Sequence, residues 1–581
     1  MAPRSQLQKL AAYLRPHWQK VSAGILALLL VNCLGVTIPL LIRSAIDELQ
    51  VAFSFGRVAY YVALIIGLAS VMWVIRMASR IWLFGAGRQV EFDLKQRIFD
   101  HLLQMEPAYF AVNTAGDLIS RATSDVENIR RLVGFAVLSL ANTIFAYSLT
   151  LPVMLSINLP LSLLAISVYP FMLLLVRLFS DQLRQEQLVV QEELSSMSEL
   201  IQEDMSGIAL IKIYAQEDNE RGAFQELNQR LLVANLQLAK TRNILFPVLI
   251  GISSTSFLLL LWQGASAIAS GVLTVGNFIA LLLYVERLVF PTALLGFTIT
   301  TYQRGAVSID RVETILMAEP KIVDPPGAIA LTQARGKLTA RHLTYTYPGA
   351  AIPALESVNF TIQTGETVAI VGPIGSGKST LANALPRLLD IAPGQLFLDD
   401  QDITQINLQD LRRMIAYVPQ DSFLFSTTVR NNIRYGMPGA EPLEVEQAAK
   451  QSQIHPEILN FPRQYETIVG ERGITLSGGQ RQRTALARAL LVDAPVLILD
   501  DSLSSVDNQT ATQILQNLSE GTKRQTVVFI SHQLSAAAIA DRILVMDRGR
   551  IVQAGTHAEL LEQSGLYQSL WNQQKLEELL K

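Results

Sequence analysis

Four long stretches of this chain contain no charged residue, and they restrict its fold more than any other feature. Val21–Ile42 and Val58–Ile75 are two of them, and no charge occurs between Arg131 and Arg177 or from Asn243 to Val285. A helix of about 20 apolar residues crosses a bilayer. Each of the last two stretches is long enough for two crossings. Asn158-Leu159-Pro160 and Gly271–Gly276 interrupt them as turn signals. Six spans follow, at about 21–42, 58–75, 132–157, 161–178, 244–268 and 277–303. The apolar run after the basic residues Arg4, Lys9, Arg15 and Lys20 is longer than a signal peptide's and lacks a cleavage site of small residues.

An even number of spans returns both ends of the membrane domain to one side. The connections 76–131 and 177–242 are rich in Lys and Arg, whereas the loops 158–160 and 269–276 have none. The positive-inside rule therefore places both termini and both long connections in the cytoplasm. The apolar spacing of these connections is helical, so the spans are expected to continue beyond the membrane. Cys33 is the only cysteine, which excludes an internal disulfide and a cysteine metal site. A net charge of −3 argues against nucleic acid as the main partner.

The second half of the chain has a different character. Ala318-Glu319-Pro320 and Asp324-Pro325-Pro326-Gly327 mark a linker. From about residue 336 short β-rich segments alternate with helices, the pattern of an α/β fold with a parallel sheet. The expected domains are 1–317, a linker at 318–335, and 336–581. In the last domain Thr367–Val371 reads as a buried strand and leads into Gly372-Pro373-Ile374-Gly375-Ser376-Gly377-Lys378-Ser379-Thr380. This fits the phosphate-binding loop G-x-x-x-x-G-K-[ST], with a helix predicted to follow. Backbone N–H groups at such a helix start cradle phosphate. Lys378 would reach the β- and γ-phosphates, and Ser379 would hold Mg²⁺. Val496–Leu499 is an apolar strand ending in Asp500, the second expected Mg²⁺ contact. The chain is expected to bind a nucleoside triphosphate together with Mg²⁺.

Leu476-Ser477-Gly478-Gly479-Gln480, followed by Arg481-Gln482-Arg483, is the most specific string. It resembles the signature of ATP-binding cassette (ABC) proteins. Physically, Ser477, Gly478 and Gly479 offer a second phosphate cradle at a helix start. The resemblance implies a P-loop (RecA-like) α/β ATPase domain with an ABC helical subdomain, joined to an all-α, six-helix transmembrane domain. It also implies a head-to-tail dimer, with ATP held between one subunit's phosphate loop and the other's signature. Further residues match family motifs in order: Tyr347 the aromatic that stacks on adenine, Gln420 the glutamine that senses Mg²⁺, and Gly470-Glu471-Arg472-Gly473 a stretch typical of exporters. Ser504-Ser505-Val506-Asp507 matches the loop that crosses the dimer interface, and His532 the switch histidine at the γ-phosphate. Taken singly, Tyr347 reads equally as a strand aromatic and His532 as a satisfied strand-end histidine. In the first half, Gly116–Arg121 with Asp125, Gly207–Glu217, and Gln303–Arg311 match the first and second coupling helices and the close of the sixth helix.

One position departs from the family pattern. The resemblance calls for Glu directly after the Mg²⁺ aspartate, where it polarises the attacking water, and this chain has Asp501. One methylene less withdraws the carboxylate by about 1.5 Å, which costs roughly a hundredfold in rate. Asp501 is then either a slower working base or the mark of a site that binds ATP and hydrolyses it poorly. On the second reading the intact signature serves a proficient site on a different half transporter, as in heterodimeric bacterial multidrug-type exporters. The expected activity is ATP-driven export of a lipophilic or amphipathic compound, drug-like or lipid, across the inner (cytoplasmic) membrane. A homodimeric lipid flippase and an ATP-gated channel or regulator are the alternatives. Charges within the spans are functional candidates: snorkelling accounts for Arg76 and Arg80, while Glu286 and Arg287 either face a water-filled cavity or pair with a neighbouring span.

Overall fold

The computed structural model describes residues 6–51, 53–470, 473–506, 508–519 and 525–579. Asp507, Glu471, Arg472 and Arg4, all singled out above, lie outside the described residues. The chain divides into two compact units, one of residues 1–103 and 115–318, the other of 104–114 and 319–581.

Among the described residues the first unit has six helices long and apolar enough to cross a membrane: Gln8–Gln50, Phe55–Leu102, Ala115–Ile157, Leu159–Ser206, Glu217–Ala269 and Val275–Leu316. They run for 42 to 53 residues. At 1.5 Å per residue that is about 63–80 Å, twice the hydrocarbon thickness of a bilayer, so the expected extensions exist. Both predicted turns fall at helix boundaries. Asn158 accepts from the Leu161 amide (3.1 Å) at the head of the fourth helix, with Pro160 in its first turn. Thr274 caps the sixth helix through the Asn277 amide (3.1 Å), and Asp47 accepts from the Gly276 amide (2.9 Å) and the Thr274 hydroxyl (2.9 Å).

Apolar side chains gain little by leaving lipid for one another, so close backbone approach and hydrogen bonds between helices hold such a bundle. Tyr284 is fully buried and donates to the Val36 carbonyl (2.6 Å). Tyr169 donates to the Val285 carbonyl (2.7 Å), and Ser256 to that of Ala165 (3.0 Å). The third helix contains two π-helical turns, Arg121–Asp125 and Leu132–Ala136. Gly116–Arg121, expected as the first coupling helix, instead lies where this long helix begins. The separate short helix in that connection is Pro107–Val112, begun by its proline and ended at Asn113. In the second connection the short helix is Ile208–Ile213, within the stretch read as the second coupling helix.

The second unit contains the α/β fold. Strands β1 (Leu338–Tyr345), β2 (Leu355–Ile362), β4 (Leu396–Leu398) and β5 (Gln401–Asp402) form an antiparallel sheet in the order β2-β1-β4-β5. A second sheet has the order β10-β9-β3-β8-β7-β6, from β3 (Thr367–Val371), β6 (Ile415–Val418), β7 (Val496–Asp500), β8 (Thr526–Ile530), β9 (Arg542–Asp547) and β10 (Arg550–Gly555). It is parallel from β9 to β6, with β10 antiparallel at the edge. Every residue of β3, β7 and β8 is buried, as befits central strands covered on both faces. A helical subdomain with its own core (Leu424, Val429, Ile433, Val445, Ile458) carries the helix Gly478–Leu491. Asn407 caps the helix Leu408–Arg413, and Asp324, in the stretch read as a linker, accepts from the Leu408 amide (2.8 Å) and from Asn407 Nδ2 (2.9 Å).

Candidate nucleotide site

The carboxyl ends of parallel strands are where α/β sheets bind ligands. The sequence-predicted residues gather at four such ends, with Gly372–Thr380 after β3, Gln420 after β6, Asp500 and Asp501 at β7 and His532 after β8. Strand β3 leads into Gly372–Thr380, and the helix Lys378–Ala384 starts at the loop's end. The loop closes only because glycine occupies its tight points. Gly377 has φ +97°, and a Cβ there would lie 2.5 Å from the Ala354 carbonyl oxygen. Gly372, at φ +150°, would push a Cβ into the Met546 carbonyl. Lys378 is buried and donates to the carbonyls of Gly372 (2.9 Å) and Pro373 (2.8 Å), so its ammonium lies inside the cradle. Burial lowers its affinity for a proton, which the carboxylates of Asp501 and Asp500 partly restore. A phosphate would supply the missing negative charge.

Strand β7 delivers Asp500, which is 2% exposed. Its Oδ1 accepts from Ser379 Oγ at 2.9 Å and its Oδ2 from Tyr417 Oη at 3.2 Å. Burial raises its proton affinity against both hydrogen bonds. Asp501 follows with a left-handed backbone, φ +48°, fixed by its amide donating to the Ile530 carbonyl (3.2 Å) at the end of β8. Its carboxyl is also pushed upward by burial, while the nearby His532, Ser504, Lys378 and Gln420 oppose that shift. Tyr347 is 40% exposed, edge-on to Tyr345 (5.0 Å between ring centres), with its hydroxyl 3.3 Å from Thr380 Oγ1. A half-open aromatic face beside a phosphate loop suits a nucleobase. The oxygens of Ser379 and Asp500, with the amide oxygen that Gln420 could bring, are the hard donors that Mg²⁺ selects.

The signature residues stand apart from this cluster. Ser477 caps the helix Gly478–Leu491 and forms a reciprocal capping box with Gln480. Among the described residues no hydrogen bond or ion pair joins Ser477–Gln480 to Gly372–Thr380. Gln480 instead donates to Glu457 (2.8 Å), which also pairs with Arg483 (2.6 Å). Gln482 is buried, donates to Ser504 Oγ (3.1 Å) and accepts from the Ser505 amide (2.9 Å). Sequence reasoning gave no role to Gln482, Glu457 or Tyr417. Gln482 lay in the quoted string, but nothing local indicated which loop it would reach.

Sheet order, phosphate loop, helical subdomain and six apolar helices together define an ATP-binding membrane transporter. Residues 21–292 match the family described as ABC transporter transmembrane region and residues 355–504 the family described as ABC transporter. The probable multidrug resistance ABC transporter ATP-binding/permease protein YheI of Bacillus subtilis is 33% identical over 98% of both chains. The multidrug resistance-like ATP-binding protein MdlA of Escherichia coli is 33% identical over 98% of this chain and 97% of its own. The ATP-dependent lipid A-core flippase of Syntrophus aciditrophicus is 32% identical over 97% and 93%. A solved structure of a bacterial Atm1-family ABC exporter with ATP bound superposes with a TM-score of 0.78 at 26% identity, covering 96% of this chain and 99% of that one. The chain belongs to the ABC transporter family, as a multi-pass exporter with a transmembrane and an ATP-hydrolysing domain.

Proposed function

We propose that this chain is one half of a two-chain exporter, in which its own ATP site is degenerate and its signature completes a proficient site on a different half transporter. The observation that carries this reading is Asp501 in the place of glutamate. Its carboxyl is one methylene shorter, and its backbone is held on both sides, the amide donating to the Ile530 carbonyl (3.2 Å) and the carbonyl accepting from Ser504 Oγ (2.9 Å), which opposes an advance of the backbone to make up the difference. In this reading Tyr347 stacks on adenine, Lys378 and the loop Gly372–Thr380 hold the phosphates, and His532 contacts the terminal phosphate. Ser379, Asp500 and Gln420 would hold Mg²⁺, which supplies charge neutralisation on the phosphate oxygens when bound. Ser477, Gly478, Gly479 and Gln480, with the loop that ends at Asp507, face the partner's nucleotide.

The cargo is a lipophilic or amphipathic compound, consistent with the mainly apolar linings of the membrane unit's cavities. In this reading the ATPase domain and both termini lie in the cytoplasm, which the charge asymmetry of the loops supports. The test is ATPase turnover of the purified chain alone beside Asp501→Glu, with ATP binding measured on both. The expected result is near-zero turnover with ATP bound, raised about a hundredfold by the glutamate. Brisk turnover of the unmodified chain as its only subunit would overturn the heterodimer and favour a homodimer.

A further inference from the structure

A cavity of about 480 Å³ in the membrane unit lies between the first, second, third and sixth long helices. Its polar lining is Asn32, Arg76, Arg80, Ser139, Asn142 and Arg287, and the remainder is phenylalanine, leucine, valine, alanine and proline. Three guanidinium groups thus share one small, largely apolar space. Among the described residues none of the three forms an ion pair. Glu286, the acidic neighbour in sequence, lines a different cavity with Leu249, Ser253 and Phe257.

Snorkelling serves Arg76 and Arg80, one turn apart at the end of the second span. It does not serve Arg287, eleven residues and so about 17 Å into the sixth helix from Gly276. Arg287 Nη2 donates to the Asn32 carbonyl (3.2 Å) and to Asn32 Oδ1 (3.1 Å), while its Nε is buried without a partner. Asn32 is itself oriented by donating to Asn142 Oδ1 (3.1 Å). The first helix makes room for the guanidinium at Gly35, where a Cβ would overlap it. The π-helical turn Leu132–Ala136 adds Phe135 to the lining.

A guanidinium held at membrane depth, as Arg287 is, with two further arginines opening into the same cavity, is costly unless an anion or dipoles offset it. The Asn32 side chain and carbonyl offset part of it here, and the buried, unpartnered Arg287 Nε–H beside the exposed Arg76 and Arg80 points to a ligand. Guanidinium groups match phosphate in geometry as well as charge. The apolar remainder suits a hydrocarbon tail. Resting on the export reading above, we infer that the cargo is an amphiphile with a phosphate head group, which Arg76, Arg80 and Arg287 bind while its tail lies against the apolar wall.

The test uses the full chain in phosphatidylcholine nanodiscs without ATP, with empty nanodiscs as background. The probes are dodecyl phosphate, dodecyltrimethylammonium and inorganic phosphate. Dodecyl phosphate should bind saturably, and about tenfold or more tighter than the other two. Arg76→Gln and Arg287→Gln should each weaken it about tenfold, with Arg287→Lys falling between. Gly35→Ala, which keeps every charge but displaces the Arg287 guanidinium, should weaken it as well. ATP binding and melting temperature identify any variant that has merely misfolded. Equal binding of both amphiphiles, or indifference to the arginine substitutions, overturns the inference. Inorganic phosphate binding as tightly as dodecyl phosphate also overturns it, since the ligand would then be the free anion. With Asp501→Glu in sealed vesicles, ATP-driven transport of a cationic dye without dodecyl phosphate binding would sink this inference and leave export standing, and dodecyl phosphate binding without ATP-driven transport of any amphiphile would do the reverse.

Discussion

Ser379 Oγ donates to Asp500 Oδ1 at 2.9 Å, joining the first turn of the helix after the phosphate loop to the end of strand β7. Two segments about 120 residues apart in sequence therefore meet through one hydrogen bond on a nearly inaccessible carboxylate. Among the described residues one hydroxyl, one phenol and the nearby Lys378 ammonium stabilise that charge, and burial outweighs them. The site is electrostatically frustrated without its ligands, which gives the first prediction.

Asp500→Asn should raise the melting temperature of the nucleotide-free ATPase unit by about 2–4 °C, the shift that 1 kcal/mol produces in a large domain. The same change should abolish Mg²⁺-dependent ATP binding. The sign follows from the upward shift of Asp500. A carboxyl that holds its proton more tightly folded than unfolded costs stability once deprotonated. The cost grows as pH rises from the ordinary carboxylate range through the raised folded value, and is complete above it. The stabilisation by asparagine should therefore shrink toward acid pH. Thermal unfolding of the full chain at several pH values checks both parts.

Gly377→Ala and Gly375→Ala separate two costs that glycine avoids. Both residues are left-handed, at φ +97° and +80°, but a Cβ at Gly377 lies 2.5 Å from the Ala354 carbonyl oxygen while one at Gly375 meets nothing within 4 Å. Alanine at 375 should lower the melting temperature by about 2–4 °C, from backbone strain alone. Alanine at 377 should cost at least twice that and eliminate ATP binding, because backbone must move. Equal effects would show that the carbonyl contact does not constrain the loop.

Gln482 ties the signature helix to the loop at Ser504 and Ser505. Gln482→Leu conserves approximate volume but removes the acceptor of the amide of Ser505, an exposed residue, a net loss of about 0.5–1.5 kcal/mol. Amide hydrogen exchange across residues 502–506 should accelerate by about tenfold, with ATP affinity changed by less than a factor of two. Unchanged exchange would mean that Val506 and the neighbouring backbone bonds hold the loop unaided.

The readable and unreadable parts of this chain differ for physical reasons. Charge-free runs with Asn158-Leu159-Pro160 and Gly271–Gly276 gave all six spans, since a bilayer punishes charge and only turn residues can reverse the chain. The phosphate loop was legible because its glycines answer backbone demands that no other residue meets. The short helix Pro107–Val112 is not legible from the pattern that marks Gly116–Arg121, and its one local signal is the proline that starts it. Gln482 and the Arg287–Asn32 pair were not legible, because each joins elements that sequence spacing does not relate. Asn32 reads as one polar residue in an apolar run until the sixth helix is laid beside it.

Tyr347 offers a final discrimination, between a residue that packs a strand end and one that receives a base. Its ring is 40% exposed, is met edge-on by Tyr345, and is fixed by its hydroxyl near Thr380 Oγ1 (3.3 Å). A packing role would depend on that hydroxyl and on the ring's size, so Tyr347→Phe and Tyr347→Trp would both destabilise the domain. A stacking role depends on the aromatic face, so both should retain ATP affinity within about threefold, while Tyr347→Ala should weaken it about tenfold, the 1.4 kcal/mol that an aromatic contact contributes. Titration with ATP and with ribose triphosphate, which lacks the base, distinguishes the two roles. Alanine should penalise ATP and leave ribose triphosphate unchanged. An equal loss for both ligands would assign Tyr347 to packing and require the adenine to be held elsewhere.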